Sequence, residues 1–256
     1  MPEAAGLSFV EYSGGDLDPR HPPLVLIHGA GGSGLHWPPE VRRLVGERVL
    51  SIDLPGHGRS GGQGEATIAA YAARVEAWLD ALNLDGSVLV GHSMGGAIAL
   101  SIALEYPSRV AGLILVGTGG RLRVHPMILD LSTQDTRFKE VVDIIIGQSF
   151  STFAPARLVE LAKLRMAETS SQVLHHDFVA CNQFDVMDRL GALDIPVQVI
   201  CGRDDVLTPE KYSQYLVEVI PRAELALIED AGHMVMLEKP KKVADVITRF
   251  MREFDD

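Results

Sequence analysis

Gly91-His92-Ser93-Met94-Gly95 sets a serine midway between two glycines. The apolar run SVLVGH, residues 87–92, leads into it. A small, apolar helical pattern from Met94 to Tyr106 leads out, with Pro107 as a stop. A serine on a sharp strand-to-helix turn projects its Oγ from the sheet edge, and glycines two residues away keep side chains out of the turn. The following helix aims backbone N–H groups at the same spot, which suits an oxyanion. The chemistry on offer is nucleophilic attack by a hydroxyl. The plainer alternative is a glycine-rich helix start with a capping serine.

A serine hydroxyl is a poor nucleophile without a base. Of nine histidines, His233 stands out in EDAGHMVMLEKP, between the last apolar run and the last helical pattern. Taken alone it reads as a surface-loop histidine. A base also needs an orienting acid. ICGRDDVLTP puts Asp204 and Asp205 just past an apolar run ending in Gly202. There a carboxylate lies at the same C-terminal sheet edge as Ser93, where open α/β sheets place their sites. Adjacent aspartates also serve solvated turns and helix caps, and one of the pair is expected to cap the helix beginning at Pro209. The chain order Ser93, Asp204 or Asp205, His233 favours the catalytic reading.

LVLIHGAGGSG, residues 24–34, offers a competing chemistry. Gly29, Gly31 and Gly34 satisfy G-x-G-x-x-G, and Asp53 lies 19 residues further on. That is the spacing of a dinucleotide site. Such a loop runs straight into its helix, whereas here Pro38-Pro39 opposes a continuing helix. Asp53 leads into the turn-rich Leu54-Pro55-Gly56-His57-Gly58, so no cofactor is expected. His57 and His92 are given structural or pocket-shaping roles. His175-His176-Asp177 lacks further metal-ligand spacing and is read as helix surface, with no metal.

These residues need elements to hold them. Nearly continuous apolar runs at 7–13, 23–28, 48–53, 87–92, 110–117, 196–202 and 224–229 read as strands, most buried on both faces of a parallel sheet. Helical patterns alternate with them: EVRRLVG, ATIAAYAARVEAWLDALN, the stretch after Ser93, PEKYSQYLVEVI and KPKKVADVITRFMREF. This is an α/β layout, a mostly parallel sheet flanked by helices. Residues 121–190 break the alternation with four helical patterns and no convincing strand. They are expected to be an insertion into a core formed by 1–120 and 191–256.

Composition narrows the partners. The chain has 256 residues, 46% hydrophobic and 22% charged, as expected of a globular α/β domain. A net charge of −11 opposes phosphate backbones and anionic lipid, so nucleic acid is excluded as a partner. No apolar run approaches the length of a membrane span, and MPEAAGLSF has no signal-peptide pattern. Cys181 and Cys201 form no ligand pattern and read as reduced, buried thiols. The expectation is a cytoplasmic protein acting on a small molecule; nothing in the sequence specifies an oligomer.

Five segments in order resemble the α/β-hydrolase superfamily over essentially the whole chain. They are IHGAGG (an oxyanion loop), DLPGHGRS, GHSMGG (a nucleophile elbow), GRDDVLTP (an acid segment) and AGH (a histidine loop). The resemblance implies an α/β-hydrolase fold and aligns Asp205, not Asp204, with the acid. It implies a Ser93–His233–Asp205 triad with the N–H groups of Met94 and Ala30 as oxyanion donors, and it puts 121–190 where the family carries a helical cap, or lid. A serine at the elbow argues against dehalogenases and epoxide hydrolases, which resemble this fold but carry an aspartate there. The implied activity is hydrolysis of a small or medium acyl ester. Lactone hydrolysis, perhydrolysis and C–C bond hydrolysis are alternatives on the same triad, and a receptor-like member with little turnover is another class. Met127, Ile128, Leu129, Phe138, Ile144, Ile145, Phe150, Phe153 and Met166 supply apolar surface, some of it for an acyl pocket.

Overall fold

The computed structural model describes residues 2–255. Met1 and Asp256, the outermost residues of the expected 1–120 and 191–256 core, lie outside the described residues. Eight strands form one sheet: β1 (Glu3–Ala4), β2 (Leu7–Ser13), β3 (Leu24–Ile27), β4 (Arg48–Ile52), β5 (Ser87–His92), β6 (Val110–Val116), β7 (Val197–Gly202) and β8 (Ala223–Ile228). Their order is β1-β2-β4-β3-β5-β6-β7-β8. β1 and β2 run antiparallel to their neighbours, and the pairs from β4 through β8 are parallel.

The continuous apolar runs face both ways, as strands buried on both sides must. Val25 and Ile27 of β3 join one core with Leu89 and Leu113, beneath α2 (Ile68–Ala81) and α3 (Met94–Glu105). Leu24 and Leu26 join a second core with Val88 and Ile114, on the side of α1 (Pro39–Arg42) and α10 (Pro240–Met251). EVRRLVG yields only the single turn of α1. Arg43, at its C-cap, leaves helical geometry, and Val45 is exposed, so the segment has too short an apolar stripe to continue.

Between β6 and β7 lie α4 (Pro126–Ser132), α5 (Phe138–Ser149), α6 (Ala156–Met166) and α7 (Ser171–Gln183). They close a third apolar cluster that includes Ile128, Val141, Ile146, Met166, Leu174 and Phe178. The only strand-like contact there among the described residues is an isolated bridge from Arg121 to Asp185. α8 (Glu210–Val219) follows β7, and the short α9 (Val235–Glu238) precedes α10. Both cysteines are buried and free. No helix of the described residues is long and apolar enough to cross a membrane.

Candidate active site

Ser93 sits between the last residue of β5 and the first of α3, with φ 53° and ψ −117°. This left-handed backbone is strained for a residue with a Cβ, and close packing on both sides holds it. A Cβ on Gly91 would lie 2.3 Å from the Gly95 carbonyl oxygen, and one on Gly95 would lie 2.3 Å from that of Ile27. Only glycine at both positions lets α3 approach the sheet this closely. The Ser93 N–H donates to the Val116 carbonyl at 2.9 Å, and the Thr118 hydroxyl donates to the Ser93 carbonyl at 2.8 Å. The turn is thereby tied to the end of β6.

Asp205 and His233 meet at the same edge. His233 Nδ1 lies 2.9 Å from Asp205 Oδ2, with both side chains buried. Asp205 Oδ1 accepts the N–H groups of Leu207 and Thr208, each at 2.9 Å, and the Thr208 hydroxyl donates to Oδ2 at 2.8 Å. Burial by itself would raise the Asp205 pKa. The His233 ring and the Thr208 donors outweigh it and hold the carboxyl below the usual range. The work expected to divide between the two aspartates falls to Asp205 alone: it orders the turn before α8 and also faces His233. Asp204 is exposed. Pro209 occupies the cap position of α8 rather than its first turn.

A cavity of about 150 Å³ opens beside these groups. Its lining includes Ala30, Ser93 and His233, with Ile128, Ile145, Met166 and Phe178 from α4 to α7. Of the nine apolar residues from which some were expected to line a pocket, Ile128, Ile145 and Met166 reach it; Phe153 and Met127 are exposed. No hydrogen bond joins Ser93 Oγ to His233 among the described residues. Arg123 also lines the cavity, but its guanidinium is engaged by the carbonyls of Leu122, Asn182 and Phe184 and by Asp185.

The glycine loop after β3 folds against the elbow. A Cβ on Gly29 would lie 3.2 Å from Ser93 Cβ. The Gly29 carbonyl accepts from His28 Nδ1 at 2.8 Å and from the Gly32 N–H at 3.1 Å, while His28 Nε2 accepts the Leu54 N–H at 3.0 Å. Burial depresses the His28 pKa well below the ordinary imidazole value, which fits one ring nitrogen donating and the other accepting. Met94 is buried, and its N–H opens α3, where no intrahelical carbonyl is available. Asp53, the residue of the dinucleotide spacing, accepts the N–H groups of Gly34 and Arg59. It orders two loops and is closed off by them.

His92 lines the cavity and its Nε2 donates to the His233 carbonyl at 3.1 Å. His57 lies away from the cavity, fully buried against Asp177 at 2.8 Å. The reading of His175-His176-Asp177 as helix surface therefore fails at Asp177, which has no exposed surface. Its donors come from residues 31, 57 and 71, too distant in sequence to betray the contact. Glu238 of α9 was also not foreseen. It accepts the Gly232 N–H at 2.7 Å and the Ser151 hydroxyl at 2.5 Å, tying the His233 loop to the segment after α5. An acid five residues past a loop histidine was the one signal for it.

A mostly parallel sheet with a strained serine turn and an acid–histidine pair at one edge defines an α/β hydrolase. Residues 24–246 match the model of the Alpha/beta hydrolase family, and the chain belongs to that family. A relative from Rhizobium rhizogenes, provisionally named the carbamate hydrolase RutD, is 30% identical over 241 residues, 90% of this chain and 92% of its own. The structure of a thermophilic esterase matches at 31% identity with a TM-score of 0.81, over 97% of this chain and 98% of its own. A malate-bound thermophilic esterase from Thermogutta terrifontis matches at 26% identity with a TM-score of 0.86, over 98% and 94%.

Proposed function

We propose that this hydrolase cleaves carboxylic esters of small or medium acyl groups through an acyl-enzyme. The observation that carries the reading is the buried Asp205–His233 pair, which borders the cavity that Ser93 also lines. Ser93 Oγ attacks the acyl carbonyl while His233 takes its proton. The tetrahedral oxyanion is held by the N–H groups of Ala30 and Met94. His233 then protonates the leaving alkoxide, and water repeats the sequence on the acyl-enzyme. Asp205 fixes the histidine tautomer and stabilises the imidazolium. The missing Ser93–His233 hydrogen bond is compatible with this, because such bonds commonly tighten only with substrate bound. Residues 121–190 act as the cap over the acyl pocket. An apolar space of about 150 Å³ holds a benzene-sized group, which sets the scale of the acyl chain.

The provisional carbamate hydrolase, similar over nine-tenths of both chains, favours a second reading on the same machinery, cleavage of a carbamate. A p-nitrophenyl ester series of increasing chain length, run beside a p-nitrophenyl carbamate, separates the two. Esters are expected to turn over faster, with the shorter chains preferred, and Ser93→Ala to abolish turnover while leaving the melting temperature intact. Undiminished turnover by that variant would remove the triad from the mechanism.

A further inference from the structure

Asp177 is a carboxylate with no exposed surface, carried on α7. Burying a charge is costly unless every lone pair finds a donor. Here Oδ2 accepts the Gly31 N–H at 2.8 Å and faces His57 Nε2 at 2.8 Å, and Oδ1 accepts the Tyr71 hydroxyl at 2.5 Å. One of the three partners is thus the backbone of the glycine loop, 146 residues away. A second tie reaches the same residue: the Thr169 hydroxyl, between α6 and α7, donates to the Gly31 carbonyl at 3.2 Å. Gly31 itself has φ +62°, and a Cβ there would meet Leu174 at 2.9 Å and Met166 at 3.1 Å.

Peptide planarity makes these ties consequential. In a trans peptide the C=O of one residue and the N–H of the next point opposite ways in one plane. The Gly29 carbonyl, held by His28 and the Gly32 N–H, therefore aims the Ala30 N–H. The next peptide is held at the Gly31 N–H by Asp177, and the one after at the Gly31 carbonyl by Thr169. Three successive peptide planes are fixed, two of them from the α6–α7 segment.

We propose that Asp177 is a positioning residue for the oxyanion loop: from α7 it locks the peptide after Ala30, so the α4–α7 segment builds the donor geometry as well as roofing the pocket. The proposal rests on the ester-hydrolase reading for the role of the Ala30 N–H. A positioning role predicts a loss in kcat with KM little changed, since a donor aimed at the transition state is misplaced while ground-state contacts remain.

The test is Asp177→Asn in the full chain, assayed with p-nitrophenyl butyrate well below its melting temperature. We expect kcat to fall about 10²-fold, with inhibition by a trifluoromethyl ketone weakened by a similar factor. Amide exchange across residues 28–37 should also quicken. A folded variant with wild-type kcat per active molecule, however lowered its melting temperature, would overturn the proposal and reduce Asp177 to a structural role. If Asp177→Asn does not fold, Thr169→Val carries the test: a smaller fall in kcat with faster exchange at 28–37 is expected, and no change in either overturns it. Wild-type Ser93→Ala turnover would instead overturn the ester-hydrolase reading, and exchange at 28–37 in Asp177→Asn would still decide whether Asp177 holds the loop.

Discussion

At the scale of single residues, the site pairs strain with support. Ser93 keeps a left-handed backbone because hydrogen bonds on both sides of it reach β6 and Thr118. Asp205 spends one oxygen on backbone donors and the other on His233 and Thr208. Asp205→Asn should leave the fold in place, since an amide oxygen can still accept from Leu207 and Thr208, yet lower kcat about 10⁴-fold by disturbing the His233 tautomer; steady-state kinetics beside circular dichroism check this. His57 makes a pH prediction. Burial opposes its charge, but the neighbouring Asp177 carboxylate outweighs burial and raises its pKa. His28, His36 and Asp53 are the other charged or titratable groups that act with it. A group whose pKa is raised in the folded state stabilises fully below its unfolded value and loses that contribution as pH rises through the folded value. Urea midpoints should therefore fall as pH rises above the ordinary histidine range of about 6.5, with a shallower fall in His57→Gln. Ser93, His233 and the Asp204–Asp205 pair stand out in the sequence because each lies beside glycines or turn residues at a strand end, and the motif resemblance is what singles out Asp205. Asp177 does not, because nothing in SSQVLHHDFVACNQ distinguishes a buried carboxylate from a solvated one.

At the scale of elements, the parallel strands were legible because burial on both faces demands unbroken apolar runs. β5 matches its expected 87–92 residue for residue, and β3, β4, β6, β7 and β8 differ by a residue or two at their ends. The two-residue β1 was not foreseen, being too short to carry any periodicity. The α3–sheet contact depends on glycine rather than on apolar bulk. Gly95→Ala would drive a Cβ to 2.3 Å from the Ile27 carbonyl oxygen and 2.6 Å from that of His28, both backbone and neither able to swing away. It should cost about 3 kcal/mol or more, read as a lowered urea midpoint, and should lower ester turnover by shifting the loop that carries Ala30. On the opposite face Ile247, fully buried in α10, should cost about 2–5 kcal/mol on truncation to alanine without altering KM, because that face is remote from the cavity.

At the scale of the molecule, the α4–α7 segment has its own apolar cluster yet is fastened to the sheet at several points. Asp177 and Thr169 hold the Gly31 loop, Ser151 meets Glu238, the Met234 N–H donates to the Ser149 carbonyl, and Ala30 and Val124 pack against two clusters at once. Such ties couple the unfolding of the parts. Scanning calorimetry should give a single transition with matching calorimetric and van't Hoff enthalpies; a separate early melt for 121–190 would mean that the ties are weak. That the chain between β6 and β7 is helical was legible from its lack of strand-like runs, but its attachment to the rest was not.

The sequence by itself determined the strand-and-helix order, the glycine-bounded serine and the positions from which an acid and a base could come. Local backbone demands and apolar periodicity write those features into neighbouring residues. The tertiary structure alone decided that Asp53 is enclosed by backbone donors and that Asp177 packs against the glycine loop. Each of those outcomes is a contact between residues far apart in the chain. Which carboxylate is buried, and against which donor, depends on how the elements pack.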